Sequence, residues 1–94
     1  MMLSISKGVR QKLQKKHSVC EAELIQCFAN RTNRFLEDER ADHKSDPPTM
    51  WFIAETDYGR ELKVVFMQKP DGCVLIKTAY EANKKELRIY AKFA

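Results

Sequence analysis

Cysteine, glycine, proline and histidine are all scarce in this chain of 94 residues, with three, three, three and two copies respectively. The cysteines, Cys20, Cys27 and Cys73, are odd in number, and none falls in a Cys-x-x-Cys spacing. Cys20 and Cys27 stand about two helical turns apart, too far along a helix for a bridge. Reduced, structural thiols of a cytoplasmic protein are the expectation. The histidines are His17 and His43, and no His or Cys partners stand at zinc-ligand spacing, so no metal and no other cofactor is expected. The opening MMLSISKGVR lacks the apolar run of a secretion signal, and no segment approaches the length that spans a bilayer. Repeats and low-complexity tracts are missing too. These absences leave one soluble, cytoplasmic domain over residues 1–94, with a single modest core and no membrane partner.

What is present is charge, unevenly placed. The formal net charge is +4, and the hydrophobic fraction of 44% is ordinary for a folded globule. Residues 1–34 carry seven basic side chains against two acidic ones, and residues 62–94 carry seven against three. Between them, residues 35–61 carry three basic and eight acidic. Two basic ends around an acidic middle favour an acidic partner, RNA or an acidic protein, over a neutral small molecule. Lysine-rich solvated helix faces explain the same numbers without any partner.

Leu3, Ile5, Val9 and Leu13 suit a short extended start running into an amphipathic helix with a basic outer face. Ser18, with Glu21 three residues on, reads as the capping box of a second helix. Its apolar stripe is Leu24, Ile25 and Phe28, and Asn30-Arg31-Thr32-Asn33 ends it. Phe35-Leu36 opens a short strand before the acidic segment, which Asp46-Pro47-Pro48 breaks as a loop. Strands follow, joined by Asp57-Tyr58-Gly59 and Pro70-Asp71-Gly72, each suited to a type I turn closed by a left-handed glycine. That loop length sets Ala54 opposite Leu62, Phe52 opposite Val64, Val65 opposite Lys77 and Lys63 opposite Ala79. Asn83 with Glu86 at the third position caps a last helix that buries Leu87, Tyr90 and Phe93.

Period-two alternation sorts the sheet into faces. Met50, Phe52, Ala54, Leu62, Val64, Phe66, Val74, Ile76, Thr78 and Tyr80 form the core face. Trp51, Ile53, Glu55, Lys63, Val65, Met67, Leu75 and Lys77 form the other, with Lys63 and Lys77 diagonal neighbours beside Trp51. The fold class is α+β: an antiparallel sheet of three or four strands with two N-terminal helices and one C-terminal helix.

Two segments carry a family resemblance. Lys16-His17-Ser18-Val19 before a helix is similar to the Lys-His-Gly-Val opening of BrnT-type toxins, small members of the RelE/ParE-like toxin superfamily. VLIKTAYEANKKELRIY resembles their closing strand, short loop and basic helix. The resemblance runs from about Lys12 to Tyr90. It implies a toxin of a bacterial type II toxin–antitoxin pair that cleaves RNA without a metal. The partners it implies are RNA, ribosome-associated RNA included, and a cognate antitoxin protein. Tyr80 and Leu87 depart from the pattern, standing where those relatives carry arginine.

Metal-free RNA cleavage needs a base for the ribose 2′-hydroxyl, an acid for the leaving oxygen, and cations for the phosphorane. Lys63 and Lys77 can supply charge, Tyr80 a proton, and His17 or Glu86 can accept one; these five are the catalytic candidates. Arg60, Lys84, Lys85, Arg88 and Lys92 are candidates for the phosphate backbone, and Trp51 for stacking a base. Each has a plain structural explanation beside the functional one. Glu86 caps a helix, Tyr80 is a core phenol, His17 adjoins a helix cap, Lys77 is a solvated lysine and Trp51 packs on a sheet. Two functions therefore stand: an RNA-cleaving toxin, or a domain that binds nucleic acid or protein without catalysis.

Overall fold

The computed structural model describes residues 2–39 and 46–94. Among these the order is β1 (Met2–Ser4), α1 (Lys7–Lys12), α2 (Glu21–Asn30), β2 (Leu36–Glu37), β3 (Thr49–Glu55), β4 (Glu61–Gln68), β5 (Cys73–Glu81) and α3 (Lys84–Phe93). The α+β class, both N-terminal helices and the C-terminal helix follow the sequence reading. The sheet does not: it has five strands in the order β1-β5-β4-β3-β2, and it is mixed. β1 runs parallel to β5, with Leu3 beside Val74. The extended start expected at Leu3 is thus an edge strand whose partner lies some seventy residues away, a pairing no local pattern encodes.

Ser6 opens α1, its hydroxyl accepting from the Val9 N–H at 3.2 Å. The helix continues into a π-helical turn, Leu13–His17, and stops where Ser18 takes the left-handed conformation at φ 52°. The Val19 N–H then donates back to the Leu13 carbonyl at 2.9 Å, a closure one residue longer than that of a Schellman ending because the last turn is π-helical. Ser18 is therefore the end of the first helix and not the cap of the second. The N-cap of α2 is Cys20, whose N–H donates to Glu23 Oε1 at 3.1 Å. Val19, between the two helices, is buried. In the stripe expected for α2, Leu24 is fully buried but Ile25 is 49% exposed, its inward place taken by Cys27.

Both hairpins form on the expected loops. Lys69 N–H donates to the Cys73 carbonyl and Thr56 N–H to the Arg60 carbonyl, with Gly59 and Gly72 at φ 83° and 91°. The β3–β4 register matches the sequence reading, Ala54 facing Leu62 and Phe52 facing Val64. The β4–β5 register starts correctly with Phe66 beside Ile76 and then slips at a β-bulge, so that Val65 faces Thr78 and Lys63 faces Tyr80. Lys77 is the extra residue. The bulge carries Thr78 and Tyr80 off the core face, where alternation had put them, and brings in Ala79, fully buried.

α1 and α2 cover the face bearing Phe52, Val64, Phe66, Val74 and Ile76. Phe28, Phe35, Phe52 and Phe66 pack on one another at centroid distances of 4.7 to 6.2 Å, mostly edge to face, which adds ring electrostatics to the burial. α3 covers the opposite face through Leu87 and Tyr90. Phe93, expected inside, is 54% exposed, and it is its carbonyl that is held, by Arg34.

Candidate functional site: a lysine-rimmed groove beside the last helix

α3 starts where Asn83 Oδ1 accepts from the Glu86 N–H at 2.8 Å and Glu86 Oε1 accepts from the Asn83 N–H at 3.0 Å. This reciprocal cap fixes the Glu86 side chain over the sheet. Its second oxygen, Oε2, accepts from Lys63 Nζ at 3.1 Å and from the Tyr80 hydroxyl at 3.0 Å. Lys63 Nζ also stands 4.6 Å from the Trp51 ring centroid and 5.9 Å from that of Tyr80, within cation–π range. The Tyr80 ring also meets the His17 ring, at a centroid distance of 5.6 Å. Four of the five catalytic candidates, Lys63, Tyr80, Glu86 and His17, thus gather round one phenol.

Burial disfavours the Glu86 anion, but the Asn83 N–H, Lys63 and Tyr80 outweigh it and hold the carboxyl below its ordinary range. Burial pushes the Tyr80 phenol up; Glu86 pushes the same way against the opposing Lys63 charge. Burial and then the charges of Lys12 and Lys16 lower the His17 pKa. A carboxylate stabilised as the anion is a weaker base, and a phenol stabilised as the neutral form is a weaker acid. As it stands, the cluster is better built for positioning than for moving protons.

Lys63, Tyr80 and Glu86 of the cluster, with Trp51, line a groove of about 660 Å³ between α3 and the sheet, and His17 does not. Lys12, Lys77 and Lys85 line it, are exposed, and form no ion pair with a described residue. Asp38 and Glu39 line its other end. The fifth catalytic candidate, Lys77, therefore reaches the same groove as Lys63, although through the bulge and not through an unbroken ladder. Beside it, the Thr78 hydroxyl is the one buried side-chain oxygen or nitrogen among the described residues with no partner.

The proposed nucleic-acid contacts divide. Lys85 lines the groove and Trp51 lies on its floor, half-buried between Lys63 and Tyr90. Lys84, Arg88 and Lys92 are exposed on α3 outside it. Arg60 is elsewhere: it donates to the carbonyls of Ser18 and His17 at 2.7 and 2.8 Å and pairs with Glu23 and Glu81 at 3.0 and 3.3 Å. Burial opposes its charge, yet those two carboxylates raise its pKa. Arg60 is a clamp joining two helix ends to the sheet. His43 lies outside the described residues. Lys12 was visible only as part of a basic helix face, because nothing local tells which lysine of that face turns toward a strand far along the chain.

No family model matches the chain, and no curated protein matches it. Among the described residues no group of His, Cys, Asp and Glu could hold a metal ion, and no helix is long and apolar enough to cross a membrane.

Proposed function

We propose that the chain is an RNA-binding protein that takes a single-stranded phosphate backbone in the groove beside α3. The observation that carries this reading is the lysine rim: Lys12, Lys77 and Lys85 have no ion-pair partner among the described residues and converge from three separate elements. Such cations attract a polyanion and release its counterions on contact. Trp51 and Tyr80 on the floor offer ring faces to a base. The low carboxyl pKa and raised phenol pKa favour binding over cleavage.

A second reading is metal-independent cleavage by a BrnT-like toxin held in check by an antitoxin. Two observations favour it. Lys63 and Tyr80 share one oxygen of Glu86, and His17 stands 5.6 Å from the Tyr80 ring. The left-handed turn falls at Ser18, where the resembled Lys-His-Gly-Val opening carries the glycine that such a turn prefers.

One experiment separates the two: anisotropy and gel analysis of labelled single-stranded RNA with the purified chain in EDTA. Binding is expected to weaken with salt, and K12A/K77A/K85A is expected to reduce the salt slope by about two. The rim reading is lost if the triple variant binds as tightly as the parent. Cutting in EDTA, abolished by Lys77→Ala or Tyr80→Phe, makes the toxin reading the right one.

A further inference from the structure

α3 leaves a second groove on its other flank, of about 630 Å³, between the C-terminal end of α2 and the β3–β4 hairpin. Ile53, Leu87, Tyr90 and Ala91 give it an apolar floor. Its charged lining residues are Glu55, Asp57 and Glu61, with no lysine or arginine. The two grooves of one helix therefore differ in sign.

Glu55 and Glu61 are direct cross-strand partners at the end of the β3–β4 ladder. Like charges so placed repel and weaken a hairpin. The fold does not relieve them: among the described residues neither carboxylate pairs with a cation, and Asp57 accepts from the uncharged Asn30 amide at 2.9 Å. The arginines that follow α2 do not line the groove and have partners of their own, although the Arg31 charge is felt at Tyr90. Arg31 lies over the Phe35 ring and donates to the Asn33 carbonyl, and Arg34 donates to the Phe93 carbonyl. An apolar floor with an unrelieved acidic rim calls for an occupant that is apolar and cationic together. Nucleic acid has the wrong charge for it.

We infer that this groove docks a basic, amphipathic segment of a partner protein. Its aliphatic side chains seat on Leu87 and Ala91, and its lysines or arginines lie between Glu55, Asp57 and Glu61. Tyr58, 94% exposed at the tip of the same hairpin, extends the surface with a side chain that protein interfaces favour. The site is distinct from the lysine-rimmed groove and does not depend on what that groove binds.

The test uses the full chain, isotope-labelled for NMR, with a synthetic amphipathic peptide of leucine and lysine and its leucine–glutamate counterpart. The lysine peptide is expected to shift the amides of Ile53, Glu55, Glu61, Leu87 and Ala91 saturably, and the glutamate peptide is expected to leave them unmoved. E55Q/E61Q should weaken binding by about tenfold or more, raise the urea midpoint by removing the repulsion, and leave RNA binding unchanged. Shifts centred on Asp38 and Glu39 would overturn the proposal. So would equal affinity of parent and E55Q/E61Q, or a urea midpoint that falls in the double variant.

Discussion

Lys63 and Tyr80 are cross-strand partners, and both donate to the same oxygen of Glu86, from 3.1 and 3.0 Å. The other oxygen of that carboxylate takes the Asn83 N–H. One side chain thus secures the start of α3 and ties the helix to the sheet, at the place where the lysine-rimmed groove begins.

Glu86→Gln keeps an acceptor for the Asn83 N–H but leaves Lys63, 15% exposed, without its counter-charge. The expected loss is about 2 kcal/mol of stability. Glu86→Ala also removes the acceptor for the Asn83 N–H, the reciprocal half of the cap, and should cost about 1 kcal/mol more. Urea unfolding followed by circular dichroism measures both. A parental midpoint for Glu86→Gln would mean that the ion pair contributes nothing.

Glu86 and Glu23 both have folded pKa values below the ordinary 4.5. For each, burial pulls the other way and is outweighed: by the Asn83 N–H, Lys63 and Tyr80 for Glu86, and by the Cys20 N–H and Arg60 for Glu23. A depressed carboxyl pKa means that the unfolded chain takes up protons first. The associated stability is therefore complete above 4.5 and is lost as pH falls through the lower folded values. Urea midpoints should fall slightly below pH 6.5, where the unfolded His17 takes up a proton before the folded one, and drop further below 4.5 as the two carboxylates titrate. Glu86→Gln should drop less over that interval, and an identical slope for variant and parent would count against the assignment.

Ser18 occupies the left-handed region at φ 52°, where a β-carbon is strained and glycine is not. Ser18→Gly is expected to stabilise the chain by roughly 0.5–1 kcal/mol, because the chain reversal between α1 and α2 is already fixed by the bond from Val19 to Leu13. Ser18→Val, branched at the β-carbon, should lose more than the glycine gains. A thermal melt that ranks serine above glycine would contradict this reading.

Arg60 reaches two carbonyls and two carboxylates through three nitrogens. A lysine ammonium cannot reproduce that planar fork, so Arg60→Lys is expected to cost about 2 kcal/mol. RNA affinity per folded molecule should stay at the parental value, because Arg60 does not line the groove. A selective loss of RNA affinity at unchanged stability would return Arg60 to the binding surface.

Much of the architecture was legible in the residues. Asn83 with Glu86, and the glycines at 59 and 72, act through bonds only a few residues long, so the α3 cap and both hairpin loops could be read directly. Alternation also gave the β3 and β4 faces correctly, since hairpin loop length alone fixes that register.

What tertiary structure decided lies at three places. The bulge at Lys77 buries Ala79 in place of Tyr80, on the strand that packs against α1 and the π-helical turn from far along the chain. The pairing of β1 with β5 joins the two ends of the chain, so no local pattern announces it. Whether a lysine lines a groove or only water depends on which elements converge there, which is why Lys12, Lys77 and Lys85 stand apart from Lys84 and Lys92 although composition treats them alike. The sequence determined the elements and most of their turns, because those depend on contacts a few residues long. The packed chain decided which charged side chains meet, because those contacts are made across most of its length.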